Sequence, residues 1–130
     1  DGKGLCAVGS PFPAFKHAGK KVVPGQGNNF YVFPGIGHGA LAAKAKYLPE
    51  SVFLAAAEAL AEMVPDSALK TGTLYPSLKG IRQVSRGVAI AVGKEVFRLG
   101  LSKLENEADI ERRVDEFTWV PEYLPYRRKV

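Results

Sequence analysis

The chain has 130 residues, 46% of them hydrophobic and 24% charged, and a formal net charge of +5. That length bounds it to one domain or part of one, and the balance excludes a disordered or fibrous class. No apolar run approaches the roughly 20 residues that span a bilayer, and the basic residues are scattered apart from Lys20-Lys21 and Arg127-Arg128-Lys129, so neither membrane nor nucleic acid is an expected partner.

Asp1-Gly2-Lys3-Gly4 has neither an initiator Met nor the basic-then-apolar layout of a secretion signal, so the chain is expected to be a piece of something longer. Leu5 to Val8 reads as a short buried strand closed by Gly9-Ser10-Pro11. The single Cys6 lies inside it without a disulfide partner, which predicts a buried, reduced thiol. A loop rich in Pro, Gly and Lys runs on to Asn29. Within it Ala18-Gly19-Lys20 is turn-like and Lys21-Val22-Val23 can extend, which fits a small hairpin.

Gly35-Ile36-Gly37-His38-Gly39-Ala40 then matches the G-x-G-x-x-G/A pattern that opens a dinucleotide-binding βαβ unit. Phe30 to Phe33 could be its strand, and small residues from Gly35 to about Tyr47 permit a closely packed helix. Taken alone, this pattern would describe a small non-enzymatic module binding a nucleotide through Gly35, Gly37 and Ala40. Pro49 stops that helix and starts the next at its first helical position, where a missing N–H costs nothing and Glu50 favours the positive end of the dipole. Phe53, Ala57, Leu60 and Val64 recur at helical spacing as one apolar stripe, and Glu58 and Glu62 read as a solvated face.

Pro65-Asp66-Ser67 ends the second helix, and Thr71-Gly72-Thr73 marks a loop. Ser77 is a plausible N-cap. Ile81, Val84, Val88, Val92, Val96 and Leu99 define a long amphipathic helix. Gly80, Gly87 and Gly93 would each cost it up to ~1 kcal/mol relative to alanine, so they need either close packing or tolerance from the surrounding fold. Glu105 to Glu116 reads as an exposed helix. The aromatic and proline-rich run from Phe117 to Tyr126 cannot form a core alone, so it should dock in extended form on its own domain or on a neighbouring subunit. One or two strands with three or four apolar-faced helices leave the strands short of partners, as in the closing portion of an open α/β domain.

Gly9-Ser10-Pro11-Phe12, Pro24-Gly25-Gln26-Gly27-Asn28-Asn29, Tyr31-Val32-Phe33-Pro34-Gly35 and Leu74-Tyr75-Pro76-Ser77-Leu78, followed by Ile81-Arg82 and Val84-Ser85, carry a resemblance. They are similar to the C-terminal part of a malic enzyme, from Asp1 to about Val96 and weakly again in the tail. The resemblance implies the C-terminal portion of a Rossmann-like three-layer domain, mostly helical with one or two short strands. Residues 1–104 would belong to the NAD(P)-binding domain and 105–130 to a terminal helix and aromatic-proline tail.

It further implies an oxidoreductase, malate dehydrogenase (decarboxylating), that turns L-malate into pyruvate and CO₂ with NAD or NADP and Mg²⁺ or Mn²⁺. Such an enzyme would sit in the cytoplasm or mitochondrial matrix as a homodimer or homotetramer, built together with the remainder of its chain. The Asn pair of the motif lines the cleft for malate, so Asn28 and Asn29 are carried over as substrate contacts, with Asn28 also reaching the cofactor. Amides suit the task because they donate and accept without altering the local charge. Read from the residues alone, Asn28-Asn29 could equally cap the next helix or form a turn.

Nothing in the chain matches the family's catalytic Tyr, Lys base, acidic metal ligands or glycine-rich cofactor loop. No catalytic or metal-binding residue is therefore assigned, and the piece should be inactive alone. The resemblance also turns the glycine pattern into a coincidence. Pro34 is awkward at the end of a strand feeding a phosphate loop, and Gly35, Gly37 and Gly39 would instead let a helix approach the sheet. His17 and His38 have no metal-ligand spacing to an acidic residue or Cys6.

Overall fold

The computed structural model describes residues 4–123, 125 and 126. Strand β1 (Ala7–Val8) runs parallel to β4 (Gly25–Gln26), with Ala7 opposite Gly25 and Val8 opposite Gln26. The connection between them holds the expected hairpin, β2 (Phe15–His17) antiparallel to β3 (Lys20–Val22). Its turn places Ala18 and Gly19 at φ 48° and 76°, the left-handed pair whose twist matches that of flanking strands. Cys6 is exposed, contrary to the expected buried thiol. A two-residue strand with one neighbour cannot wall it off.

Phe30 to Phe33 is not a strand. Asn29–Tyr31 form a 3-10 turn, and helix α1 (Phe33–Ala42) begins at once with Pro34 in its first turn. A proline has no N–H to offer a sheet, whereas a first helical turn leaves that N–H unused. α1 stops short of Tyr47, with Lys44 at φ 50° and the Lys46 N–H donating to the Leu101 carbonyl at 3.0 Å. In α2 (Glu50–Glu62) Pro49 is the N-cap, one position earlier than expected.

The buried face of α2 is Val52, Ala56 and Leu60, so the expected stripe is rotated by one residue and Phe53 is 47% exposed. Both stripes have helical period; volume decides between them. Val52 and Ala56 let α2 lie close to its neighbour, and a phenylalanine there would hold it off. Glu58 and Glu62 are exposed. A short helix, α3 (Asp66–Leu69), follows.

Ser77 caps as expected, its Oγ accepting from the Lys79 N–H at 3.3 Å at the 3-10 turn Leu78–Gly80. Gly80 thus lies before helix α4 (Ile81–Arg98) and not inside it. Val84, Val88, Val92 and Val96 of α4 are buried between α1 and α2. The glycines of α1 approach this helix, not the sheet. A Cβ at Gly35 would sit 2.6 Å from Val88 Cγ1, and one at Gly39 2.9 Å from Val92 Cβ and against the Ala89 carbonyl. Gly37 has open space. Gly87 gives way to Met63, and Gly93 to Ile110.

Helix α5 (Asp109–Phe117) is exposed on one face only. Ile110 and Val114 are fully buried against Ala42 and Ala89. Two apolar residues four apart were hidden among charges, and they are enough to dock a short helix. Arg86 Nε reaches Asp115 Oδ1 at 2.6 Å and its Nη2 reaches Glu111 Oε1 at 2.8 Å. The arginine holds the Asp115 carboxyl below the usual carboxylate range. Thr118 is extended, and Trp119, 75% exposed, only borders a hollow shared with Ile81 and Arg86, so most of this side chain is left undocked. Arg127-Arg128-Lys129 lies outside the described residues.

Helices over a few short strands in two small sheets, one of them parallel, make part of a Rossmann-like α/β domain. Among the described residues no helix is long and apolar enough to cross a membrane.

Candidate functional site

Strand β4 delivers the Asn pair. Gly25 is closely packed: a Cβ there would lie 3.3 Å from both Leu74 N and Tyr75 Cδ2, so a side chain would require these neighbours to give by a few tenths of an ångström. The Gly27 N–H donates to the Val8 carbonyl at 2.8 Å, so β1 grips the chain up to the residue before Asn28. Gln26 Nε2 adds a bond to the Gly9 carbonyl at 3.1 Å.

Asn28, still extended at φ −120° and ψ 137°, starts the 3-10 turn. Its Oδ1 accepts from the Phe30 N–H at 3.1 Å, while its backbone carbonyl accepts from the Tyr31 N–H at 3.2 Å. The capping role read from the residues alone is therefore real for Asn28. Its Nδ2 group is left to donate elsewhere. Asn29 is exposed, and among the described residues its side chain makes no hydrogen bond. The two amides thus divide the work: one shapes the turn and the other is presented by it.

Tyr31, the third residue of the turn, is 2% exposed. Its hydroxyl donates to the Pro76 carbonyl at 2.9 Å, and its ring stacks on Tyr75 at 5.2 Å and on Phe30 at 4.8 Å. Burial first, then the neighbouring Tyr75, pushes its phenol above the usual tyrosine range, so it stays a neutral donor.

Gly27, Asn28 and Asn29 form one rim of a cleft of about 460 Å³, with Ala57, Leu60 and Ala61 of α2 and Leu74 and Tyr75 as the other walls. This volume suits a small ligand, and a largely apolar wall with few convergent amides fixes orientation more than it drives binding. No lining residue is charged. Such a surface can orient an acid or a carboxamide by hydrogen bonding. Tyr31, Tyr75 and the α2 residues of this cleft were not singled out from sequence as site residues. The available signal was Tyr75-Pro76 inside the Leu74–Leu78 motif, together with a phenol in an otherwise apolar run.

The glycine pattern forms no phosphate cradle. Gly35, Gly37 and Ala40 all lie within α1, and Gly35 faces α4 instead of solvent. The residues present therefore do not fit a pyrophosphate there. They do not fit a metal either: among the described residues no group of three or more His, Cys, Asp or Glu could hold one. His17 lies on the exposed hairpin, and His38 Nε2 is buried without a partner among the described residues.

With this geometry in place, the match to known proteins is informative. Residues 1–97 match the malic enzyme, NAD binding domain family. This chain belongs to that family. It is 40% identical over 123 residues to an NADP-dependent malic enzyme of Dictyostelium discoideum, covering 95% of this chain and 23% of that protein. It is 40% identical over 129 residues to an NAD-dependent malic enzyme of Pseudomonas savastanoi pv. phaseolicola, covering 99% of this chain and 23% of the relative. An NADP-dependent malic enzyme of Populus trichocarpa is 38% identical over 127 residues, 97% of this chain and 22% of the relative. The chain thus spans less than a quarter of the length of these malic enzymes. The family match includes both asparagines, every wall of the cleft and nearly all of α4.

Proposed function

We propose that this chain supplies one wall of the malate site in an NAD(P)-dependent malic enzyme. In this reading Asn29 donates its amide to the substrate, and Asn28, with its carbonyl committed to the turn, offers Nδ2 toward substrate and nicotinamide ribose. The observation that carries the proposal is the division of labour at the turn. A capping amide holds the backbone while the next amide stands exposed at the rim of a cleft sized for a small acid. Membership of the malic enzyme family supplies the chemical context.

The intact enzyme would oxidise L-malate at C2 and release CO₂ to leave pyruvate. The nicotinamide accepts the hydride, and Mg²⁺ or Mn²⁺ supplies the Lewis acid. This chain's residues orient the acid by hydrogen bonding. The metal ligands, the proton-transfer groups and the cations facing a dianion would come from the remainder of the protein. The chain alone is accordingly inactive. Homodimer or homotetramer formation would use the aromatic tail, where Trp119 and Tyr123 are exposed.

Asn29→Ala in the full-length enzyme tests the site. The expected result is a malate KM raised, or kcat lowered, about ten-fold, the size of one lost hydrogen bond to a charged group. The KM for the nicotinamide cofactor should change far less. Unchanged malate kinetics would remove Asn29 from the substrate site.

A further inference from the structure

We propose that Tyr31 is the positioning residue of this turn: by donating its hydroxyl to the Pro76 carbonyl, it sets the direction in which Asn29 presents its amide. This inference rests on the substrate role of Asn29 given above and adds the device that aims it. The turn is held from two sides. Upstream, β1 receives the Gly27 N–H. Downstream, the turn runs straight into α1, where the Ile36 N–H donates to the Val32 carbonyl at 2.8 Å. Tyr31 adds an anchor across the cleft that neither neighbour supplies, since its hydroxyl reaches a carbonyl 45 residues away at 2.9 Å.

The ring alone would explain burial. Tyr31 belongs to the same buried cluster as the valines of α4 and stacks between Phe30 and Tyr75, where a phenylalanine would fill the same space. A hydroxyl carried into that core costs free energy unless it is paired. Its one partner belongs to the loop whose Leu74 and Tyr75 line the cleft. One bond thereby ties the rim that bears Asn29 to the opposite wall. Only Phe30 separates Tyr31 from Asn29 within a single turn, so slippage of Tyr31 swings that amide directly. The neutral phenol keeps the bond across the ordinary pH range.

Tyr31→Phe in the full-length malic enzyme keeps the stack and deletes the bond. The expected result is a malate KM raised about three- to ten-fold, with the cofactor KM unchanged. In parallel, amide hydrogen exchange should rise in the segment 28–32 while the rest of the chain keeps its protection. Tyr47→Phe, which deletes an exposed hydroxyl outside the cleft and leaves the Tyr31–Pro76 bond in place, should keep wild-type malate kinetics and wild-type exchange in 28–32. If Asn29→Ala impairs malate binding while Tyr31→Phe leaves both malate KM and local exchange unaltered, the positioning role is wrong and the site stands. Equal loss for malate and cofactor in Tyr31→Phe, with protection lost throughout, would reduce Tyr31 to a packing residue. Normal malate kinetics in Asn29→Ala would remove the site and the positioning role together.

Discussion

Asn28 and Asn29 show how far adjacent identical residues can diverge. The motif singles out both, yet Asn28 Oδ1 is committed to the Phe30 N–H while Asn29 is free at the rim. A substitution can separate the capping role of Asn28 from its proposed substrate role. Asn28→Asp retains an acceptor for the Phe30 N–H and loses the Nδ2 donor. It also places a negative charge beside the proposed site of a dianion. The expected outcome is a full-length enzyme with a wild-type melting temperature and a malate KM raised more than ten-fold, by roughly 1.5–3 kcal/mol. Asn28→Ala should lower the melting temperature as well, through loss of the cap at about 1 kcal/mol. Calorimetry beside steady-state kinetics distinguishes them. An Asn28→Asp enzyme with normal malate kinetics would leave this residue a cap and nothing more.

Among the elements, the contact between α1 and α4 explains the glycines that mimic a nucleotide fingerprint. Gly35 and Gly39 lie four apart on one face of α1, and on both the space for a side chain is already filled by α4. Gly37 points away into open space. The same pattern thus contains two glycines required by packing and one that is not. Gly39→Ala should destabilise the protein by about 2 kcal/mol, because the Ala89 carbonyl is backbone and cannot step aside. Gly37→Ala should stabilise it by about 0.5–1 kcal/mol, through helix propensity alone. Urea unfolding of the full-length variants measures both, and a neutral Gly39→Ala would mean that the helices do not meet so closely.

Legibility varied with the kind of signal. The hairpin, the Ser77 cap and α4 were readable because each rests on local chemistry. The rotated stripe of α2 was not, since periodicity allows two faces and only the room beside α4 chooses Val52 over Phe53. α5 was half readable: its helical character follows from composition, but its docking through Ile110 and Val114 depends on a groove made by Ala42 and Ala89. The turn at the Asn pair was legible in the alternative read from the residues alone, since Asn28 does cap it. The meeting of that turn with Leu74-Tyr75-Pro76 was not, because Tyr31 spans it through a single long-range bond.

At the scale of the whole molecule, the parallel pair β1–β4 is too small to stand by itself. Parallel strands normally have both faces covered, yet Leu5, Phe12 and Phe15 are largely exposed around it, and so is Cys6. The chain spans 23% of the Dictyostelium relative, so the proposed remainder of the enzyme has ample length to cover this region. Cys6 is the natural reporter, being the single cysteine of the chain. Expressed as these 130 residues, the protein should react with a maleimide at close to the rate of a free thiol. In the full-length malic enzyme the same thiol, followed by mass spectrometry of its peptide, should react at least about ten-fold more slowly, because labelling there requires local opening. Malate, NADP and Mn²⁺ added to the 130-residue chain should give neither NADPH nor protection of Cys6. Equal labelling rates in the two proteins would place β1 on the surface of the complete enzyme and remove the argument that the proposed remainder of the enzyme packs against it.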